Sequence, residues 1–212
     1  MRIAAISDTH GAHAHLSVPP CDVLVCAGDF TQRGSEAEVR SFVRWFAEQP
    51  GEKVLIGGNH DHWAESAPAD MAALASGHKI TWLVGEGAVV AGLRVWGSPM
   101  TPAWRSMAFN LQRGPALAQH WARIPQDLDL LVTHGPPFRI GDRAVLGSVG
   151  CADLRAAVLA RPPRLHVFGH IHEAHGTHHV PGCPTQFVNA ANRRLLPLSI
   201  RPPRLLALTA GR

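Results

Sequence analysis

Five short apolar runs of this 212-residue chain each end abruptly in a cluster of glycine, carboxylate, amide or imidazole groups. Ile3 to Ser7 leads into Asp8-Thr9-His10, Val23 to Ala27 into Gly28-Asp29, and Lys53 to Ile56 into Gly57-Gly58-Asn59-His60-Asp61. Leu128 to Thr133 leads into His134-Gly135, and Leu165 to Phe168 into Gly169-His170-Ile171-His172. Apolar runs of this length read as central strands buried on both faces. The polar clusters then occupy loops at the C-terminal ends of those strands. A sheet fixes where each loop starts, and the glycines let the backbone turn tightly there.

Between the second and third runs, Val39, Phe42, Val43 and Phe46 recur at helical spacing behind Ser35-x-x-Glu38, which has the form of a capping box. Met71 to Ala75, after Pro68, and Leu154 to Leu159, before Pro162-Pro163, are further helix candidates. Val89 to Trp96 reads as a hairpin turning at Ala91-Gly92, and Thr177 to Val180, Gln186 to Asn189 and Leu205 to Thr209 read as short late strands. Helix and strand alternate first and strands dominate later. That is the pattern of an α/β chain whose two sheets form a sandwich flanked by helices, expected as one domain over residues 1–212.

The net charge of +4 is dispersed, and no run of Lys or Arg forms a stripe, so no stable nucleic-acid partner is expected. Cys21, Cys26, Cys151 and Cys183 form no Cys-x-x-Cys pair and read as free thiols of a reducing compartment. Met1 to Ser7 reaches Asp8 too soon for a signal peptide, and no apolar run has the length of a membrane span. A soluble, cytoplasmic protein without membrane association is expected.

Oxygen and imidazole donors without thiolate suit a pair of borderline divalent cations, and that chemistry belongs to two-metal hydrolases. Two neighbouring cations need a ligand that touches both. Asp29, central among the clusters, is the candidate bridge, with Asp8, His10, Asn59, His134, His170 and His172 completing the donor set. In extended backbone Asp8 and His10 point to one side, as do His170 and His172, so each pair can aim two donors at one place. A lone His-x-His is commonly surface or core histidine; five donor clusters at strand ends are much harder to produce by chance.

The ordered pattern Asp-x-His, Gly-Asp, Gly-Asn-His-Asp, His-Gly and Gly-His-x-His resembles the calcineurin-like metallophosphoesterase superfamily over residues 8 to 172. A narrower resemblance is carried by Ala27-Gly28-Asp29-Phe30-Thr31, Trp96-Gly97-Ser98-Pro99, Phe109-Asn110-Leu111, Thr133-His134-Gly135-Pro136-Pro137 and Phe168-Gly169-His170-Ile171-His172-Glu173. These are similar to the metallophosphoesterase-domain-containing (MPPED) family of class III cyclic nucleotide phosphodiesterase-like proteins. The resemblance implies a four-layer αββα sandwich of two mixed sheets with a dimetal site at strand ends. It also implies that one metal takes Asp8, His10, Asp29 and His172, and the other Asp29, Asn59, His134 and His170. Animal members carry glycine where this chain has His170, so the second set is complete here and regulation tied to that glycine is not carried over.

By the same similarity, His60 stabilises the transition state and protonates the leaving alkoxide while a water acidified between the cations attacks phosphorus. Asp61 either hydrogen-bonds a metal ligand or His60 and so tunes its orientation, or is a solvent-facing residue at a helix start. Arg33 stands where related phosphatases place a phosphate-binding arginine, and Asn110 lies in an aperiodic stretch, Ser98 to Gly114, that reads as a substrate-covering loop. In that stretch Trp104 and Phe109 either stack on substrate or anchor the loop to the core. Manganese is the first expectation for the two divalent ions, with Fe/Mn or Zn also fitting the donors. The expected partner is a small phosphodiester, a 2′,3′- or 3′,5′-cyclic nucleotide above all. A phosphomonoesterase, an end-processing nuclease and a non-catalytic nucleotide-binding or scaffold module stay open as alternatives, and oligomeric state is not readable.

Overall fold

A computed structural model of the chain describes residues 1–145, 147–194 and 199–208. The first third lays down a parallel sheet in chain order: β1 (Arg2–Ile6), β2 (Val23–Cys26), β3 (Glu52–Leu55) and β4 (Ile80–Trp82). The crossovers carry α1 (Glu36–Glu48), α2 (His62–Ser66) and α3 (Pro68–Gly77). The expected capping box opens α1: the Ser35 hydroxyl accepts the Glu38 N–H, and the Glu38 carboxylate accepts the Ser35 N–H. Behind that cap, Val39, Phe42, Val43 and Phe46 face inward, and Phe42 stacks on Phe30 with ring centroids 4.6 Å apart.

β5 (Glu86–Val90) and β6 (Leu93–Ser98) form the expected hairpin and open a second sheet. There follow a small parallel pair, β7 (Thr101–Pro102) with β8 (Asn110–Leu111), then α4 (Pro115–Ala122) and β9 (Leu130–Thr133). A short hairpin, β10 (Arg143–Ala144) with β11 (Gly147–Ser148), precedes α5 (Ala152–Ala160), β12 (Leu165–Phe168), β13 (Gly176–His178) and β14 (Gln186–Asn189). The chain closes through the pair β15 (Arg193–Arg194) with β16 (Ser199–Ile200) and then β17 (Arg204–Ala207), which returns to lie antiparallel beside β1. The second sheet has the order β13-β14-β12-β9-β6-β5, parallel from β14 to β6 and antiparallel at both edges. Both sheets are therefore mixed.

Alternation along the strands creates the layers. Ile3, Ala5, Val23, Val25 and Val54 of the first sheet meet Val95, Leu130, Val132, Val167 and Val188 of the second in one buried core. On the outer face of the first sheet Ala4, Ile6, Leu24 and Leu55 pack against α1 and α3. Opposite, Trp96, Leu131, Phe168 and Phe187 pack against Leu117 and Trp121 of α4 and Leu154 and Val158 of α5. The result is the expected αββα sandwich.

β4 and α4 lie outside the sequence expectations. β4 has only three residues, and α4 buries little more than the i,i+4 pair Leu117 and Trp121. The strand read from Leu128 starts at Leu130, and the one read to Val180 stops at His178, before Pro181-Gly182 turns the chain. Of the strand read as Leu205 to Thr209, Thr209 lies outside the described residues. Cys21, Cys26, Cys151 and Cys183 are all free thiols. Among the described residues no helix is long and apolar enough to cross a membrane.

Candidate metal centre

The parallel cores of both sheets end at one edge of the sandwich, and an isolated parallel bridge between Ser7 and Ala191 joins the two there. Asp8 and His10 follow β1, Asp29 follows β2, Asn59 and His60 follow β3, His134 follows β9, and His170 and His172 follow β12. Asp8, Asp29, Asn59 and His134 are buried and form the floor; His10, His60, His170 and His172 are partly exposed and form the rim.

The donor spacings are those of ligands around cations. Two donors each about 2.1 Å from one ion stand roughly 3 to 3.4 Å apart. His10 Nε2 lies 3.3 Å from His172 Nε2, and His172 Nε2 lies 3.3 Å from Asp8 Oδ1. In the second group His134 Nε2 lies 2.9 Å from Asn59 Oδ1 and 3.4 Å from Asp29 Oδ2. His170 joins that group, with its ring centroid 5.0 Å from that of His134, and a donor atom each of Asp29, His134 and His170 lie within 4.8 Å of one another. Asp29 Oδ2 also faces His10 Nε2 at 3.9 Å, while its Oδ1 accepts the His60 N–H at 2.8 Å. One oxygen of Asp29, rather than one for each ion, thus faces both groups.

The rings are set for ligation. His134 donates Nδ1–H to the Ala27 carbonyl at 2.8 Å, which aims Nε2 at the cluster. The buried Nδ1 atoms of His10 and His172 have no hydrogen-bond partner among the described residues, so these rings are engaged only on the Nε2 side. The residues therefore fit two divalent cations by donor type, spacing and orientation.

Burial alone would raise the Asp8 and Asp29 carboxyls, but neighbouring imidazoles win. The hydrogen bond to His172 leads in holding Asp8 down at about 2, and the charge of His134 leads in holding Asp29 far below the carboxylate range. In return, burial presses His134 down, yet the charge and hydrogen bond of Asp29 carry it up to about 9. Burial, reinforced by the charge of His134, lowers His170 to about 4. The protein balances its buried carboxylates with imidazolium protons on the nitrogens that a cation requires.

Close approach and strain build this edge. Asp8, His10, Asp29 and His170 hold φ at 53°, 43°, 52° and 68°, the left-handed region, at a cost of about 1–3 kcal/mol each for residues other than glycine. A Cβ on Gly58 would strike Asp29 Oδ1, the Asp29 nitrogen and His134 Cε1, and one on Gly169 would strike Asp8 Oδ2 and Ser7 Oγ. Both carboxylates lie against bare backbone.

Several residues that carry no ligand atom hold the loops. Asp61, fully buried, accepts the Thr31 N–H and hydroxyl on Oδ1 at 3.0 and 2.7 Å and the Gly58 N–H on Oδ2 at 2.8 Å. Neither reading of Asp61 holds: it is buried rather than solvent-facing, and it bonds loop backbone and Thr31 rather than a ligand side chain or the His60 ring. Asn189 donates to the carbonyls of Gly141 and Ile171, and Asn192 accepts the Ser7 N–H. Arg193 Nη1 donates to the His10 carbonyl at 3.2 Å and to Gln32 Oε1 at 2.6 Å. Sequence reading missed Asn189, Asn192 and Arg193. Their one signal is position: Asn189 ends the last central strand, and Asn192 and Arg193 follow it as the other clusters follow theirs.

A cavity of about 690 Å³ opens beside the rim, touching Asn59 and His170 at its metal end and walled by Trp104, Met107, Val145 and Val149. The loop from Ser98 to Gly114 forms one wall and divides its two aromatics: Phe109 is buried against Gly57, whereas Trp104 is 61% exposed. Asn110 lines the cavity, but its carboxamide closes the loop, accepting the Trp104 N–H and donating to the carbonyls of Trp104 and Arg105. Arg33 is exposed, its backbone N–H donates to Glu38, and no hydrogen bond joins its guanidinium to a donor residue among the described residues. Arg113 ties the two walls by donating to the carbonyls of Val149 and Gly150.

Comparison with known proteins agrees with this geometry. The calcineurin-like phosphoesterase family model matches residues 1–174. The chain is 35% identical to human metallophosphoesterase domain-containing protein 1, over all of this chain and 72% of that protein. It is 34% identical to a UPF0046 protein of Caenorhabditis elegans, over 90% of this chain and 69% of the other. Among solved structures it resembles phosphopantetheinyl hydrolase of Mycobacterium tuberculosis (TM-score 0.65, 17% identity) and TT1561 of Thermus thermophilus (TM-score 0.64, 14% identity), each over 89% of this chain and 88% of the other. At those identities the likeness concerns the fold. The chain belongs to the calcineurin-like phosphoesterase family and, within it, to the metallophosphoesterase-domain-containing group, and is a metal-dependent phosphoester hydrolase.

Proposed function

We propose that the protein is a two-metal phosphodiesterase acting on small phosphodiesters, with 2′,3′- or 3′,5′-cyclic nucleotides as the leading substrates and manganese as the first metal, ahead of an Fe/Mn pair or zinc. The observation that carries the reading is the pair of donor groups meeting at Asp29 Oδ2, with His60 close enough that a donor atom each of His10, Asp29 and His60 also lie within 4.8 Å of one another. His60 is read as the proton donor rather than a ligand because its backbone N–H and Nδ1 are already bonded to Asp29 and Gln32. Asp8, His10, Asp29 and His172 would hold one ion, and Asp29, Asn59, His134 and His170 the other. Two such ions supply positive charge to the phosphoryl oxygens and acidify the attacking water.

The chain's own residues do the rest. His60 lies with its ring edge-on to His10, centroids 4.7 Å apart, and donates Nδ1–H to the Gln32 carbonyl at 3.2 Å. Its Nε2 is thereby left to carry the proton that the departing alkoxide takes up. Burial of Asp8, Asp29 and His134 keeps the floor dry, and the adjoining cavity gives the organic part of the ester a largely apolar seat that one nucleoside fits. The dispersed charge agrees with a small substrate better than with a nucleic-acid strand.

The test is turnover of 3′,5′-cyclic AMP, 2′,3′-cyclic AMP, a nitrophenyl phosphodiester and its monoester with Mn²⁺ present. Faster hydrolysis of diesters than of the monoester, with at least one cyclic nucleotide consumed, is expected. Preference for the monoester would replace this reading with a phosphomonoesterase.

A further inference from the structure

We infer that Arg193 is a positioning residue for His60, an inference that rests on the proton-donor role proposed above. Arg193 sits in β15, beyond the residues matched by the family model, and reaches the centre from the far end of the chain. Its backbone N–H donates to the Asp8 carbonyl at 3.3 Å. Its guanidinium joins two loops, bonding the carbonyl of His10 and the side chain of Gln32. Gln32 is the residue whose own carbonyl receives His60 Nδ1–H. One cation therefore grips both the residue packed edge-on against the His60 ring and the residue that orients it.

The choice of arginine follows from geometry. A guanidinium is always charged, and the two N–H groups of Arg193 Nη1 lie in its fixed plane, so the His10 carbonyl and Gln32 Oε1 are held at a set angle to each other, where the hydrogens of an ammonium rotate freely. His10 needs such support, because its backbone holds φ at 43° with the carbonyl turned outward toward Arg193. Arg193 is in turn held: Arg201 donates to its carbonyl at 3.3 Å and to that of Ala191 at 3.2 Å. The chain of contacts runs from Arg201 through Arg193 and Gln32 to His60.

The function of that chain is to keep His60 Nε2–H directed at the leaving oxygen. As the phosphorus–oxygen bond breaks, the oxygen takes the bond pair and the Nε2 proton, and the alcohol departs neutral. A nitrophenolate needs no proton to leave, whereas a phenolate benefits from one. Loss of correct positioning must then cost more on the worse leaving group.

The experiment compares the phenyl and p-nitrophenyl esters of thymidine 5′-phosphate in the Mn²⁺-loaded protein for wild type, His60→Ala, Arg193→Ala, Gln32→Ala and the double variant Arg193→Ala/Gln32→Ala. Arg193→Ala and Gln32→Ala are expected to lower kcat on the phenyl ester by about tenfold, a part of the roughly 10²- to 10⁴-fold that a positioned general acid contributes. On the nitrophenyl ester the loss should stay below about twofold, and two metals per chain should be retained. Because both substitutions cut one link, the double variant should be no slower than the slower single. Gln32→Ala leaves the arginine in place and keeps the test valid if Arg193→Ala folds poorly. Equal losses on both esters, wild-type rates, or additive effects overturn the inference. If His60→Ala itself fails to distinguish the esters, the proton-donor role falls and this inference with it; if His60→Ala distinguishes them and the other variants do not, only the inference falls.

Discussion

The metal rim and the cavity wall are neighbours built in opposite ways. Around the donor cluster loops are fastened to one another by buried and partly buried hydrogen bonds: His170 N–H to both Asp8 oxygens, His60 N–H to Asp29, and Thr31 N–H to Asp61. The wall instead hangs on two-residue strand pairs and presents Trp104 and Val145 at 61% and 85% exposure. Left-handed backbone at four donor residues is tolerated only because the rim is over-determined. On the function proposed above, the difference would separate chemistry, held by the braced edge, from substrate preference, held by the surface loops of the wall.

Substitutions that break this division rank by how near they lie to the shared oxygen. Loss of a ligand's supporting partner typically costs about 10- to 100-fold, so Asp29→Ala, which removes the shared ligand itself, is expected to lower activity by at least about 10³-fold and to abolish binding of the metal pair, read by elemental analysis. His60→Ala should cost about 10²- to 10³-fold in kcat while both metals stay bound, within the range for general acid catalysis. Asp61→Ala should fall in the 10- to 100-fold range with weakened metal affinity, because it frees both the Thr31 and the Gly58 loops. Normal metal affinity in that variant would show the rim to be less braced than its bonds imply.

Proton competition gives a gentler test. His134 is raised in the folded chain, so below about 9 it keeps a proton on the face that a cation needs. Metal affinity should therefore rise with pH up to that value and fall by about tenfold per pH unit below it for each proton displaced. Calorimetry in buffers of different ionisation enthalpy should find net proton release at neutral pH. Release of none would mean that His134 is neutral beforehand. Smallest is Trp104→Ala: a rise in KM of about five- to tenfold for a nucleotide substrate, the low end for base stacking, with kcat held and stability changed by less than about 0.5 kcal/mol. A fall in kcat there would deny the separation of wall from rim.

The same division decides what could be read from the chain. The donors were legible because ligation demands particular side chains, and the sheet places them where apolar runs stop. The capping box of α1 and the hairpin at Ala91-Gly92 were legible because their signals are local. Asn189, Asn192 and Arg193 were not, since their partners lie up to 185 residues away and an asparagine bonding backbone has no sequence period. α4 was missed for want of a clear stripe, and the wall because its strand pairs are two residues long. Type alone does not fix the roles of Arg33 and Asn110: the first is exposed at the surface, and the second lines the cavity while its carboxamide closes its own loop.

The central claim is that Asp29 Oδ2, which faces both donor groups, would be shared by two bound ions, with His60 left as the proton donor. Electron paramagnetic resonance of the protein titrated with Mn²⁺ tests it directly, because two manganese ions sharing a single oxygen are exchange-coupled and give a spectrum unlike that of isolated ions. Two ions per chain with a coupled spectrum, unchanged in His60→Ala, is the expected result. A single ion, two uncoupled ions, or loss of an ion with His60 would contradict the account.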